Sequence, residues 1–134
     1  MRLLLDSHVF IWALALPKNL SQRAISELIN PDTEAFVSLA SAWELWIKHA
    51  RKPIKEFARV LDGGPDAFRM AAALSRMTIL DISLQHVAAV RSLPHLHGDP
   101  FDRLLIAQAM HEGLTLVTHD DIFDRYPGLR TLKT

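Results

Sequence analysis

The chain of 134 residues contains no cysteine, which excludes a disulfide scaffold and any zinc site with thiolate ligands. It has no long apolar run either: the longest, residues 9–16, is far shorter than the roughly 20 residues that a membrane-spanning helix needs. Neither sign of charge dominates, because 15 basic residues balance 15 acidic ones, which disfavours binding of a polyanion through bulk charge. We therefore expect a soluble, cytoplasmic protein that meets nucleic acid only through local basic patches.

What is present is typical of a globular protein. Hydrophobic residues make up 49% and charged residues 22% of the chain, a composition that excludes a disordered protein. The length is that of one domain with a sizeable core. No repeat or linker interrupts it, so we expect a single domain over residues 1–134.

Short apolar runs alternate with helical patterns along the chain. The predicted strands are residues 3–5, 35–37, 77–80, 114–118 and, shortest, 129–132. The predicted helices are residues 8–15, 22–30, one ending at Arg51, 54–61, 66–76, 84–92 and 100–112. Strands separated by helices predict an α/β fold whose parallel sheet is covered on both faces.

Acidic residues fall at positions that share one edge of such a sheet. Asp6 directly follows the first strand and Asp120 follows the strand at 114–118, while Glu44 and Asp102 stand near helix starts. In a parallel sheet, the ends of strands and the starts of the following helices lie on the same rim, where ligands bind. The sequence therefore predicts that these four carboxylates meet.

Each acid also has a structural explanation. Ser41 and Glu44 have the spacing of a capping box, and Asp102 in a first helical turn favours the helix dipole. Asp120 has the position of a cap for a short helix running to Arg125, and Asp6 of a residue that simply ends a strand. Taken together, however, four clustered carboxylates repel one another unless a cation neutralises them.

Oxygen ligands without cysteine suit a hard ion, Mg²⁺ or Mn²⁺. Because Mg²⁺ keeps several waters, such a site can supply water for attack on phosphate. The acids therefore indicate a metal-dependent phosphodiester hydrolase in which the metal and a carboxylate activate water for in-line attack.

Basic residues near the acids are candidates for contacts with backbone phosphates. Lys48 lies one helical turn after Glu44, and Arg103 follows Asp102; the cluster is Lys48, Arg51, Lys52, Lys55 and Arg103. An ordinary surface pair between Glu44 and Lys48 is the alternative. No histidine is assigned as a ligand. Trp12, Trp43 and Trp46 fit helix positions that face a core; if partly exposed, they would instead line a groove for a partner.

Four segments resemble the PIN domain, most closely the VapC-like toxins of prokaryotic toxin–antitoxin pairs. They are LLLDSH at residues 3–8, SAWE at 41–44, HGDPFDRLLIAQA at 97–109 and LVTHD at 116–120. The third segment is highly specific, and the four follow the family's order along the whole chain.

This resemblance implies a three-layer α/β/α sandwich, a Mg²⁺- or Mn²⁺-dependent endoribonuclease, an antitoxin that blocks the site, and a homodimer. The acids of the family carry over to Asp6, Glu44, Asp102 and Asp120, and its hydroxyl residues to Ser7 and Thr118, which would orient the ligands. Asp99 and Asp121 are the alternatives to Asp102 and Asp120.

Two other classes of function remain open at this point. A phosphatase with a nucleophilic aspartate also begins with an acid after the first strand, but it needs a second acid at position 8, where this chain has histidine. A non-catalytic module would keep the acids for structure and serve to bind a partner; the absence of Mg²⁺ or Mn²⁺ binding would favour it.

Overall fold

The computed structural model describes all 134 residues as a five-stranded parallel sheet flanked by seven α-helices. The strands are β1 (Arg2–Leu5), β2 (Glu34–Ser38), β3 (Met77–Leu80), β4 (Thr115–Thr118) and β5 (Thr131–Lys133). The helices are α1 (Ser7–Ala15), α2 (Gln22–Ile29), α3 (Leu39–Arg51), α4 (Ala58–Asp62), α5 (Gly64–Leu74), α6 (Leu84–Val90) and α7 (Pro100–Glu112). Short 3₁₀ turns lie at Pro17–Asn19, Lys55–Phe57 and Asp121–Arg125.

The order of the strands is β3-β2-β1-β4-β5, and every neighbouring pair is parallel. The chain moves outward from β1 through β2 to β3, then returns to the other side of β1 for β4 and β5. The order of the sheet therefore reverses between β1 and β4. In open α/β sheets this reversal creates the crevice in which ligands bind.

Side chains of β1 alternate between two cores, one on each face of the sheet. Leu3 and Leu5 belong to a core shared with α1, α3, α4 and α5, and Leu4 belongs to a core shared mainly with α7. All three leucines are fully buried, as strands covered on both faces require. The predicted α/β/α sandwich is confirmed.

The helix signals in the sequence correspond to real caps. Ser21 caps α2 through a hydrogen bond from the Ala24 amide, and Asp99 caps α7 with proline as the first helical residue. Gly113 ends α7 in the left-handed conformation, with φ at 66°, which glycine adopts without steric cost.

The structure corrects several predicted boundaries. The helix expected at residues 54–61 is a 3₁₀ turn, Lys55–Phe57, followed by α4. The expected turn at residues 63–65 is shorter, because α5 already starts at Gly64 and holds proline in its first turn. The last strand lies at Thr131–Lys133 and not at 129–132. None of the helices is both long and apolar enough to cross a membrane.

Candidate active site

A pocket of about 200 Å³ lies at the carboxyl edge of the sheet, where the order of the strands reverses. All four predicted carboxylates line it, together with one further acid, Asp99. The lining residues are Asp6, Ser7, His8, Glu44, Lys48, Asp99, Asp102, His119, Asp120 and Phe123. Segments far apart in sequence thus converge on one acidic pocket.

Asp6 joins β1 to α1 and is buried, with 6% of its surface exposed. Its Oδ1 accepts a hydrogen bond from the Val9 amide (2.9 Å), as the N-cap of α1, and its Oδ2 accepts one from the Thr118 hydroxyl (2.5 Å). Burial raises the pKa of Asp6, and these two hydrogen bonds oppose the rise. The two hydrogen bonds therefore fix the orientation of a carboxylate whose negative charge is costly to bury.

Glu44 reaches the pocket from α3 and is buried beside α1. Its carboxylate accepts a hydrogen bond from the Ser7 hydroxyl and pairs with Lys48 at 3.3 Å. The alternative explanation of Ser41 and Glu44 as a capping box does not hold, because α3 starts earlier and Ser38 is its N-cap, accepting a hydrogen bond from the Ala40 amide. Glu44 is consequently free to face the pocket.

The acids at the start of α7 have different surroundings. Asp99 Oδ1 accepts hydrogen bonds from the amides of Phe101 (2.9 Å) and Asp102 (3.2 Å). Burial raises the pKa of Asp102 to about 6, and the nearby charges of Asp99 and Glu44 add to the rise, while His97 opposes it. Repulsion between neighbouring, partly desolvated carboxylates is the electrostatic signature expected of a cation site.

Asp120, and not Asp121, belongs to the pocket. Asp120 follows β4 and caps the 3₁₀ turn Asp121–Arg125 by accepting from the Ile122 amide (3.0 Å). The Asp121 carboxylate instead pairs with Lys133 at 2.8 Å and does not line the pocket. This geometry favours Asp120 of the two candidates.

The residues present fit a hard divalent cation. Five carboxylates and no sulfur line the pocket, and oxygen donors of this kind suit Mg²⁺ or Mn²⁺. Two of the five, Asp6 and Asp102, have a raised pKa because they are partly removed from water. A bound cation would remove this electrostatic cost.

These raised pKa values predict how a metal stabilises the protein at different pH. Without metal, the stability contribution of Asp6 and Asp102 increases as the pH falls through their raised folded-state values, since the folded protein then binds the additional protons. Metal requires the ionised carboxylates. We expect Mn²⁺ to raise the melting temperature more at about pH 7.5 than at about pH 5, below the folded-state value for Asp102. An equal rise at both pH values, measured by thermal unfolding, would contradict this.

A separate cluster of possible ligand atoms lies at the far end of α7. Atoms of His86, His111 and Glu112 lie within 4.8 Å of one another. Nδ1 of His86 accepts the Ser83 amide (3.1 Å), and Nε2 faces Glu112 Oε1 at 2.9 Å. A neutral histidine that binds metal through Nε2 must carry its proton on Nδ1. In His86, however, Nδ1 faces the N–H group of Ser83, which is itself a donor. The cluster thus serves as a hydrogen-bonded link between α6 and α7.

Arg103 does not line the pocket, and its burial disfavours the predicted role in binding phosphate. Its side chain is buried, with 7% exposure, and donates to the Pro94 carbonyl (2.8 Å) and the Tyr126 hydroxyl (3.1 Å). The other predicted basic residues remain accessible: half of the Lys48 side chain is exposed, and Arg51 is exposed.

One of the three tryptophans predicted to face the core is exposed instead, and two histidine rings meet at the site. Trp43 was predicted to face the core, but 59% of it is exposed and it packs edge-on against Phe101. Trp12 and Trp46 are partly buried against the core, as predicted. The rings of His8 and His119 meet edge-to-face at the mouth of the pocket, 5.4 Å apart.

The parallel sheet and the acidic pocket at its reversal point place the protein in the class of open α/β proteins with a ligand site at the carboxyl edge of the sheet. Comparison with known families identifies the particular family. The model of the PIN domain family matches residues 3–129, and the chain belongs to this family.

Individual relatives align over most of this chain, in sequence or in structure. Ribonuclease VapC22 of Mycobacterium tuberculosis is 34% identical over 119 residues, which cover 87% of this chain and 85% of that protein. A chain in the crystal structure of VapBC2 from Rickettsia felis, bound to a DNA fragment from their promoter, superposes with a TM-score of 0.73. That match has 22% identity and covers 99% of this chain and 98% of the other. DNA-bound VapBC from Salmonella typhimurium gives a TM-score of 0.67 at 22% identity, with the same two coverages.

Proposed function

We propose that this protein is a metal-dependent endoribonuclease and the toxin of a toxin–antitoxin pair. The observation that carries the proposal is the convergence of Asp6, Glu44, Asp102 and Asp120 on one pocket of a PIN domain. The relationship to Ribonuclease VapC22 supports RNA as the substrate. The VapBC complexes among the structural neighbours support an antitoxin as the partner.

Asp6 and Asp102 would hold Mg²⁺ or Mn²⁺, with Glu44 and Asp120 as further ligands, direct or through water. Such an ion supplies a Lewis acid for the phosphodiester and lowers the pKa of water for attack. Thr118 and the Val9 amide hold the two oxygens of Asp6. Ser7 holds Glu44, so that the acids keep their places before substrate arrives.

Protein residues have the remaining tasks in hydrolysis. A pocket carboxylate accepts the proton that the attacking water loses. The Lys48 ammonium, 3.3 Å from Glu44 at the rim, offsets negative charge where a phosphate approaches. Burial of Asp6 and Glu44 limits the competing water around the reacting group.

A groove of about 630 Å³ continues from the acidic pocket between α1, α3 and the segment after α3. It shares Ser7, His8 and Lys48 with the pocket. Its basic residues are Lys48, Arg51, Lys52 and Lys55. These four cations outnumber the one acid of the groove, Glu56. Net positive charge along a groove that ends at the acidic pocket provides a path for the RNA backbone.

The groove predicts a salt-dependent effect of one substitution. We expect Arg51→Gln to weaken RNA binding in the absence of divalent ions and to lower the slope of log K against log salt by about 0.7, the value for one phosphate contact on a single strand. Fluorescence anisotropy at several salt concentrations measures both quantities. Arg69→Gln is the matched control, because Arg69 lies on α5 and pairs only with Asp66. Equal slopes for the parent and Arg51→Gln would exclude the contact.

Cleavage of total RNA with mapped ends tests the proposed function directly. We expect discrete cuts with Mg²⁺ or Mn²⁺ and none after chelation. Expression in a host cell without an antitoxin should arrest growth, and the cytoplasm is the proposed location of this activity. The homodimer stays a prediction, which light scattering of the purified protein tests. RNA left intact under all metal conditions would contradict the nuclease and favour a binding module.

The structure disfavours the phosphatase alternative. A nucleophilic aspartate needs a general acid two residues later to protonate the leaving group, and no carboxyl group stands there. Residue 8 is a histidine whose ring contacts His119 and Trp12. Detection of a covalent phosphoryl-enzyme would reverse this conclusion.

A further inference from the structure

Three side chains connect the interior of the protein to one carboxylate of the pocket. Arg103 Nη1 donates to the Tyr126 hydroxyl at 3.1 Å. That hydroxyl lies 2.7 Å from Nδ1 of His97, and Nε2 of the same ring lies 3.2 Å from Asp102 Oδ2. The contacts span 29 residues of sequence and end at the first turn of α7.

The direction of donation follows from the chemistry of each group. An ionised carboxylate only accepts hydrogen bonds, so Nε2 of His97 carries the proton that faces Asp102. In the neutral ring, Nδ1 is then an acceptor and accepts a hydrogen bond from the Tyr126 hydroxyl, while Arg103 donates a hydrogen bond to the oxygen of that hydroxyl. Every hydrogen bond therefore points from the guanidinium toward Asp102, and bonds aligned in this way polarise one another.

Arg103 has no acidic partner, although it is buried. Its guanidinium donates to the carbonyls of Leu93 (3.5 Å) and Pro94 (2.8 Å), and to that of Val90, the last residue of α6 (3.4 Å). The negative end of the helix dipole and these carbonyls stabilise the cation. The same contacts fix the loop that carries His97, so the imidazole has a defined position.

The last link leaves one oxygen of Asp102 available. His97 contacts Oδ2, whereas Oδ1 has no hydrogen bond within the protein, and Asp102 lines the pocket. A metal ligand held through its outer oxygen keeps the orientation in which its inner oxygen binds. Asp6 and Glu44 have hydroxyl donors for this purpose, and Asp102 has the imidazole of His97.

We propose that His97, backed by Tyr126 and Arg103, is a positioning residue that orients the Asp102 carboxylate for a divalent cation. The proposal rests on the proposed function, since it assumes that Asp102 is a ligand. It also gives Arg103 a role at the site without any contact with substrate.

Titration of the full chain with Mn²⁺, followed by electron paramagnetic resonance of the free ion, tests the proposal without relying on catalysis. Loss of partners behind a metal ligand typically weakens metal binding about 10- to 100-fold, and we expect His97→Ala to fall in this range. His97→Gln, whose amide can donate to Asp102, should recover part of the affinity. His95→Ala is the matched control, an exposed histidine of the same loop, and should bind Mn²⁺ as the parent does.

Tyr126→Phe separates positioning from stability. The phenyl ring keeps the packing against His97 and removes only the hydroxyl, so we expect folded protein with weaker Mn²⁺ binding, between the parent and His97→Ala. Thermal unfolding without metal measures any loss of stability separately. Parent-like Mn²⁺ affinity in folded Tyr126→Phe and His97→Ala would overturn the proposal and leave the three residues a structural role.

Asp102→Asn distinguishes the failure of this inference from that of the proposed function. If Asp102→Asn weakens Mn²⁺ binding but His97→Ala does not, only the positioning role is wrong. If neither variant changes the affinity, Asp102 is not a ligand, and both the metal site as assigned and the positioning role fail.

Discussion

Asp6→Asn should lower the rate of RNA cleavage about a thousand-fold, equivalent to about 4 kcal/mol of activation free energy, because the pocket loses a charged metal ligand. The fold should persist, since the asparagine side chain keeps an oxygen that can accept the hydrogen bond from the Val9 amide and so still caps α1. Without metal, the variant should be at least as stable as the parent near neutral pH, because burial raises the pKa of Asp6 and makes its ionised form costly. Cleavage rates with Mn²⁺ and melting temperatures measure the two effects.

A matched control for Asp6→Asn is Asp121→Asn. Asp121 is an exposed acid near the same edge of the sheet, but its carboxylate pairs with Lys133 outside the pocket. The Asp121→Asn variant should cleave RNA at the rate of the parent. Cleavage by Asp6→Asn at the parent's rate, with the same dependence on Mn²⁺, would show that the assigned site is not the active site.

Of the substitutions considered, Arg103→Met should destabilise the protein most, with a loss of about 3 kcal/mol in the free energy of unfolding. The substitution leaves the Pro94 carbonyl and the Tyr126 hydroxyl, together with the end of α6, without their donor. For a chain of this length, such a loss lowers the melting temperature by about 10 °C. Urea unfolding followed by circular dichroism measures the free energy.

The outcome also distinguishes the two roles considered for Arg103. A phosphate-binding arginine at the surface would leave stability unchanged and alter the salt dependence of RNA binding. Arg69→Met is the control, because 68% of that side chain is exposed, and it should unfold as the parent does. Unchanged stability in Arg103→Met would refute the buried network and restore the surface role.

The sequence contained enough local signal to predict the layers of the fold and the edge at which the acids meet. Apolar runs and caps such as Ser21 and Asp99 depend on neighbouring residues and can be read directly. The convergence of Asp6 and Asp120 followed from parallel topology alone, because strand ends share one rim.

Features that depend on long-range packing could not be predicted in this way. Ser38 and Ser41 are both plausible caps, and only the path of the chain after β2 makes Ser38 the N-cap of α3. Arg103 follows an acid of the pocket, yet its side chain points into the interior, toward Tyr126, which is 23 residues away. The link from His97 to Asp102 likewise depends on how the loop after α6 folds back.

The central claim is that carboxylates from separate parts of the chain share one divalent cation. Anomalous diffraction from a crystal of the protein grown with Mn²⁺ tests it most directly. We predict an anomalous peak in the acidic pocket, within coordination distance of Asp6 and Asp102. A crystal with no peak there, or with Mn²⁺ only at an unrelated position such as Glu112, would contradict the account.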